Sequence, residues 1–540
     1  MTLTATQEDR LQADRQKKYE FKTQPWEHQK EALLASWNKK YFALLCDYGT
    51  GKSKIIIDTI GINYERNNLE ALFVIAPNEV HERWISEQIP AHLPDRIKYI
   101  ARVWTGSTSQ KFKRSLEQFW HSQYRDHLKI FTMNVEALQS SKRGREFAKN
   151  FLAAFRALLA IDESTRIKTP SAKRTKFIIN NLSKLAIYRR TLTGNEVTRS
   201  PFDVYCPYRF LKPDFWYPIA NYHIFKHRYG KYVTRYTYRK TLNYKKKCPK
   251  CKTFIEKLTV KKWRAVCPKC FAVVKKLEED EQKRNYETLI SYKRLDELRA
   301  KTIQHSYLIR KEDCMDLPPK IYQPIYAEMN DEQTRVYKEL KNELCTQYKG
   351  VELSVINKIA LSTRFQQIVG GFFPTSEETI GDSNPKIERL LYDLEDIDCA
   401  DPIIIWSRFT AELKAIARNL RKNYDKPVAL YYGGTAKADR KQIVDEFQAG
   451  KYAFFVANPQ TAGTGLNLQR AYIHYYYSNS FNAEDRWQSE DRSHRGGQTN
   501  QCLYKDIYIK GTVDDTIKKA NQEKKDLADF FRTRSLEDIL

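Results

Sequence analysis

A chain of 540 residues exceeds what one hydrophobic core ordinarily supports, so two principal domains plus insertions are expected. Its 93 Lys and Arg against 66 Asp and Glu leave a formal charge of +27, which favours a polyanionic partner held through phosphate contacts and counterion release. No apolar run reaches membrane-spanning length, no basic surface-seeking helix or lipid anchor is present, and the opening MTLTATQEDRLQADRQKKYEF lacks the apolar core of a secretion signal, so a membrane role is excluded and a cytosolic setting is expected.

After an N-terminal arm (1–24), a first α/β lobe is expected over 25–205. From about Phe42 short apolar runs alternate with helix-length segments: FALLC (42–46), ALFVIA (71–76), KIFTM (129–133), ALLAID (157–162) and AIYRRTLTG (186–194). Buried strands spaced in this way predict a parallel sheet. The first run leads through CDYGTGKSK into the apolar helix start IIIDTI, the strand, glycine-rich loop and helix of a phosphate loop. Gly49, Thr50 and Gly51 turn backbone amides toward phosphate at a helix N-terminus. Lys52 reaches the β- and γ-phosphates and the Ser53 hydroxyl binds magnesium. Cys46 stands where the fuller motif has its first glycine. ALLAID carries Asp162 and Glu163 to the carboxyl edge of the sheet, where open α/β sheets bind ligands. Asp162 is suited to hold magnesium, and Glu163 to act as general base on the attacking water.

Residues 206–312 read as a basic, aromatic-rich insertion without strand rhythm except around four cysteines. Cys248-Pro-Lys-Cys251 and Cys267-Pro-Lys-Cys270, fifteen residues apart, have the spacing of a tetrahedral structural zinc site in a ribbon over 245–275. Four thiolates leave no open position for catalysis. Lysines such as Lys246 and Lys262 make the ribbon a candidate phosphate-contacting finger, while a simple zinc staple for an insertion too small to have its own core needs the same cysteines. The other six cysteines are scattered, so no disulfide framework is expected. The segment DCMDLPPKIYQPIYA (313–327) holds three prolines that favour extended backbone and opens a linker and helical protrusion over 313–385. Strand rhythm returns in PIIIWS (402–407), PVALYY (427–432), YAFFVAN (452–458) and AYIHYYYS (471–478), predicting a second α/β lobe over 386–540.

The run Asp162-Glu163-Ser164-Thr165-Arg166-Ile167-Lys168 resembles the Walker B motif of the Swi/Snf-type branch of superfamily two helicase-like ATPases, with Thr165 in place of the family's usual histidine. Further segments resemble that family's motifs in order from about Pro25 to Ile517. His28-Gln29 is similar to the adenine-sensing glutamine motif. IAPNEVHERW (75–84), with Pro77, Asn78 and Trp84, and TMNVEAL (132–138), with Asn134, resemble DNA-contacting motifs. LTGNEVTRSPFDVY (192–205) resembles the motif that couples hydrolysis to movement; Thr193, read as a further DNA contact, and Gly194 match, and Asn195-Glu196 replace threonine-proline. NPKIERLLYDL (384–394), IIIWSRFTAEL (403–413) and GGTAKADRKQIVDEF (433–447) resemble the lead-in to the second lobe. TAGTGLNL (461–468) supplies Thr461, Gly463 and Gly465 in a turn whose amides suit phosphate of the track or the nucleotide.

QSEDRSHRGGQ (488–498) resembles the family's last motif. Gln488, Arg492 and Arg495, at offsets of four and three, are expected on one face of a helix. The two arginines would then stabilise charge at the γ-phosphate only when the lobes close.

The resemblance implies an α/β chain of two tandem RecA-like P-loop lobes with the basic zinc-ribbon insertion between them. It further implies a DNA-dependent ATPase using ATP, Mg2+ and Zn2+ that translocates along duplex DNA, expected here to act as a monomer. The alternative is a helicase that unwinds or branch-migrates replication or recombination junctions or R-loops. A zinc-dependent nucleic-acid-binding module without turnover is a distant third, disfavoured by the full set of charged site residues. The compact motif set points to a bacterial or phage source.

Overall fold

The apolar runs form two wholly parallel sheets, as strands buried on both faces require. The structure is a computed structural model describing residues 19–532 apart from 79, 239–242, 258, 262–263, 277–282, 344, 355–357, 398–400 and 463–465. In the first lobe, strands β1 (Tyr41–Cys46), β2 (Ala71–Ala76), β3 (Tyr99–Val103), β4 (Leu128–Asn134), β5 (Ala157–Asp162), β6 (Tyr188–Thr193) and β7 (Ser306–Ile309) pair in the order β7-β1-β6-β5-β2-β4-β3. Every residue of β2 is buried. Helices α1 (Glu27–Ser36) and α2 (Lys52–Glu65) pack together, with Ile55, Ile56, Ile57 and Ile60 of α2 in the lobe's core. Because β1, β6 and β5 are adjacent, the loops leaving their carboxyl ends share one edge of the sheet.

The second lobe holds β8 (Lys320–Ala327), β9 (Ile403–Trp406), β10 (Val428–Tyr431), β11 (Phe454–Ala457), β12 (Ile473–Tyr476) and β13 (Cys502–Ile509), in the order β8-β13-β12-β9-β11-β10. Helices α3 (Ala483–Glu490) and α4 (Val513–Arg532) follow β12 and β13.

Two strands fall where the sequence predicts insertion and linker. Ser306–Ile309 joins the first sheet beside β1, and Lys320–Ala327 lies parallel to β13. Both are edge strands. In β8 only Ile325 and Ala327 are buried, so there is no apolar run to read, and an edge position tolerates Pro324.

Residues 218–298 form a separate compact unit. The expected lack of strand rhythm there is corrected: Gly230–Tyr238 and Lys283–Tyr292 pair as a long antiparallel ribbon. Tyr and Thr outnumber aliphatic residues in this ribbon, which leaves a two-stranded element without a continuous apolar signature. Within it, Asn243–Lys247 pairs with Phe254–Lys257, and three short strands follow at Thr259–Lys261, Arg264–Val266 and Val273–Lys276. Among the described residues no helix is long and apolar enough to cross a membrane.

Candidate nucleotide site and four-cysteine centre

The chain leaves β1 at Cys46 and turns into α2 through Gly49 (φ 85°) and Gly51 (φ 83°), left-handed conformations that favour glycine. Gly51 is required twice over, since a Cβ there would lie 2.2 Å from Gln29 Nε2. Gln29, on α1, is committed to the loop: its amide donates to the Thr50 carbonyl at 3.0 Å and its oxygen accepts from the Trp26 backbone. His28 Nε2 donates to the same carbonyl at 2.8 Å, and Thr50 Oγ1 donates to Asp47 O. Gln29 thus braces the phosphate loop. Lys52 Nζ donates to the carbonyls of Cys46 (2.7 Å) and Asp47 (3.0 Å), while Ser53 is half-buried in the first turn of α2.

Asp162 and Glu163 stand at the end of β5. Glu163 has φ 53° and ψ 60°, a left-handed conformation that costs a non-glycine residue roughly 1–2 kcal/mol, and such strain concentrates at functional sites. Asp162 accepts from Trp84 Nε1 at 3.0 Å and from the Glu163 amide. Burial raises the pKa of both carboxyls, and for Glu163 the neighbouring Asp162 charge adds to this while Lys52 opposes it.

The second lobe meets this edge. Tyr48, in the loop, donates to Glu163 Oε2 at 3.1 Å and accepts from Gln488 Nε2 at 3.0 Å. Thr165 Oγ1 donates to Glu484 Oε1 at 2.8 Å, and Lys168 pairs with the same carboxylate at 3.5 Å. Lys311, just beyond β7, gives its backbone N–H to Asp47 Oδ2 (3.0 Å) and its buried amine to Asp491 Oδ1 (2.5 Å) and His494 O (2.7 Å). The expected single helical face is corrected: α3 ends at Glu490, and Arg492 and Arg495 lie in the turn beyond it. There Arg492 N bonds to Ser489 O and Ser493 N to Glu490 O, which tightens the last turn before Gly497 at φ 93°. The arginines still face the loop. Arg492 Nε donates to Gln488 O with its guanidinium 6.0 Å from the Tyr48 ring centre, and the Arg495 Cβ lies 3.9 Å from where a Cβ on Gly49 would stand.

Tyr48, Glu484, Lys311 and Asp491 are absent from the sequence-derived site. For three of them the only signal is position: Tyr48 lies within the phosphate loop, and Glu484 and Asp491 lie in or beside the last motif. Lys311 carried none, because its partner is 180 residues away.

The expected DNA contacts divide. Asn78 is exposed, Asn134 and Thr461 are half-buried, and Pro77 is buried. Trp84 and Thr193 are corrected. Trp84 is fully buried and donates its indole N–H to Asp162, and Thr193 is buried with its hydroxyl donating to Asn195 O at 2.9 Å. Neither has a surface to offer a DNA strand. Gly463, Gly465 and Lys262 lie outside the described residues, and Lys246 is placed only as a position on the strand Asn243–Lys247.

The four cysteines converge. Cys248 and Cys270 Sγ are 3.6 Å apart, as are Cys251 and Cys267, and all four sulfurs lie within 4.8 Å of one another. Sulfur ligands at about 2.3 Å from zinc define tetrahedral edges near 3.8 Å, whereas a disulfide needs about 2.05 Å. Each pair closes a matching knuckle, with Cys248 N bonded to Thr253 O and Cys267 N to Ala272 O. Lys252 and Phe271 take equivalent left-handed conformations at φ 57° and 56°. The donor set fits a closed structural zinc ion.

A family model described as SNF2-related domain matches residues 28–370, and one described as helicase conserved C-terminal domain matches 385–497. Among relatives, the ATP-dependent helicase fft1 of Schizosaccharomyces pombe is 27% identical over 44% of this chain and 31% of its own length. The putative ATP-dependent helicase/translocase YwqA of Bacillus subtilis is 24% identical over 41% and 24%, and the uncharacterized ATP-dependent helicase MG018 of Mycoplasma genitalium 22% identical over 42% and 23%. The chain therefore spans between 23% and 31% of the length of these relatives, which are fungal and bacterial and lend no support to a phage source. A solved structure, the Sulfolobus solfataricus SWI2/SNF2 ATPase core in complex with dsDNA, covers 95% of this chain and 93% of its own at 20% identity and a TM-score of 0.37. With the SNF2-related model matching more than half its residues, the chain belongs to the SNF2-related ATPase family.

Proposed function

We propose that the chain is an ATP-dependent motor that translocates along double-stranded DNA, hydrolysing ATP with groups drawn from both lobes. The observation that carries this reading is the hydrogen-bonded path from Glu163 through Tyr48 to Gln488. It ties the general base of one lobe to the arginine-bearing turn of the other, so hydrolysis and lobe closure are coupled. In the proposed reaction Lys52 exchanges its bonds to Cys46 O and Asp47 O for phosphate oxygens, and Ser53 and Asp162 hold the magnesium that accompanies ATP. Glu163 accepts a proton from the attacking water, and Arg492 and Arg495 neutralise charge developing on the transferred phosphoryl group. Zinc on Cys248, Cys251, Cys267 and Cys270 supplies structure and no chemistry.

Support for a DNA track comes from the charge of +27, which suits phosphate contacts. Steady-state ATP hydrolysis tests the proposal, run with no nucleic acid, duplex DNA, single-stranded DNA, RNA or a four-way junction. Stimulation by duplex without junction preference, lost in Lys52→Ala and Glu163→Gln, is expected. Preference for junctions or hybrids turns the assignment to a branch-migrating helicase. Turnover that Glu163→Gln leaves intact removes Glu163 as the base.

A further inference from the structure

Within the inserted unit, helix Tyr222–Tyr229 presents His223 and His227 one turn apart. The neighbouring ribbon strand Lys283–Tyr292 presents Glu287. His227 Nε2 lies 3.3 Å from His223 Nε2 and 3.0 Å from Glu287 Oε2, and all three ligand atoms fall within 4.8 Å of one another. Hydrogen bonding accounts for this convergence only weakly. An imidazole Nε2 carries at most one hydrogen. If that of His227 goes to Glu287, His223 Nε2 can only share the same hydrogen at 3.3 Å, a bifurcated contact weaker than a full bond. If His227 is the acceptor, nothing joins it to the carboxylate. A cation at the focus satisfies all three atoms together. Tetrahedral nitrogen and oxygen ligands at about 2.0–2.1 Å define edges near 3.3 Å, close to the two separations found. The Tyr232 ring, 4.7 Å from that of His227, packs against the imidazole and limits its rotation.

We propose that His223, His227 and Glu287 form a second metal site, of the borderline-soft divalent class that includes zinc, with water completing the coordination. Two imidazoles and one carboxylate suit that class over calcium or magnesium, which take oxygen donors. His223 and Glu287 are exposed, so ions enter directly from solvent. The ion fastens the helix to the ribbon that carries the four-cysteine centre. Its ligands share no residue with that centre, and the site rests on no assumption about ATP or DNA.

The test is metal content of the full-length chain, equilibrated with zinc buffered at micromolar free concentration and analysed by atomic emission. Wild type is compared with His223→Asn/His227→Asn and, separately, with Glu287→Gln. Wild type is expected to hold about one equivalent more than the double variant, which keeps the zinc of its four thiolates. Glu287→Gln is expected to weaken the extra equivalent at least tenfold. As a second readout, cobalt(II) alone is titrated into metal-free protein. One binding phase is expected to carry the thiolate-to-cobalt charge-transfer band, and another, absent from the double variant, to lack it. Equal metal content in wild type and double variant, or an extra equivalent that appears only at millimolar zinc, overturns the proposal. Failure of the four-cysteine centre would lower both proteins alike and leave their difference intact.

Discussion

Replacing Lys311 by Met tests whether lobe closure is built into this chain. Lys311 is anchored to the first lobe through the sheet that contains β7 and through its own N–H on Asp47, and its amine reaches Asp491 at 2.5 Å in the second. The ion pair is mostly buried, the side chains being 7% and 14% exposed. Breaking one partner of such a pair typically costs about 3–5 kcal/mol, but Arg492 and Arg495 also attract the Asp491 charge, so about 2 kcal/mol is a better expectation here. Because the pair exists only when the lobes are together, the loss falls on the closed state, and roughly 30-fold less of it is populated at 1.4 kcal/mol per decade. Met keeps the length and apolar stem, so each lobe should fold as before. The assay is nucleic-acid-stimulated ATP hydrolysis, with kcat/KM expected to fall on the order of 30-fold. A double-mutant cycle with Asp491→Asn should return a coupling of about 1–2 kcal/mol. Activity within twofold of wild type, or strict additivity in the cycle, would refute the latch.

Tyr48→Phe removes the hydroxyl shared by Glu163 and Gln488. At about 1 kcal/mol for each of the two hydrogen bonds, kcat should fall on the order of 30-fold in the same assay, with nucleotide affinity changed less. Glu196, buried and accepting from Tyr208 at 2.9 Å, has its pKa pushed up from 4.5 to about 7 by burial. Its neutral form therefore favours the fold fully below the unfolded value, and that stabilisation is lost as pH rises toward about 7, a total of about 3 kcal/mol. Glu196→Gln, which stays neutral, should match wild type in urea melts near pH 4.5 and exceed it by up to that amount above about pH 7; identical profiles would count against the buried carboxyl. Cys267→Ser should abolish tight zinc binding at the four-cysteine centre and make 218–298 protease-sensitive, leaving basal ATP hydrolysis within about twofold because the two lobes have their own cores.

The parts of the fold that depend on continuous burial were legible in the sequence. ALFVIA and ALLAID become central strands over the same residues, because a strand covered on both faces has no polar alternation to blur it. Tyr99–Val103, Ser306–Ile309 and Lys320–Ala327 escaped because edge strands bury only part of their length. At the site, the phosphate loop and Asp162-Glu163 were visible because their chemistry is local to a few consecutive residues. The interlobe groups were not, since Lys311 and Thr165 acquire meaning only from partners at Asp491 and Glu484. Trp84 shows the opposite failure. The resemblance of its motif makes Trp84 an expected DNA contact, whereas the fold turns it inward as a donor to Asp162.

Beyond the helix Tyr222–Tyr229, the chain enters and leaves the four-cysteine region along one antiparallel ribbon, with Gly230 opposite Tyr292 and Lys293 N bonded to Tyr229 O. Topologically the four-cysteine region is therefore the tip of a hairpin. A hairpin tip can lengthen, shrink or be exchanged for another without re-threading either parallel sheet, since the chain returns beside the point where it departed. Change in this region is thereby decoupled from the strand order that aligns Lys52, Glu163 and the two arginines, so the insertion is free to diverge while the ATPase lobes keep their threading.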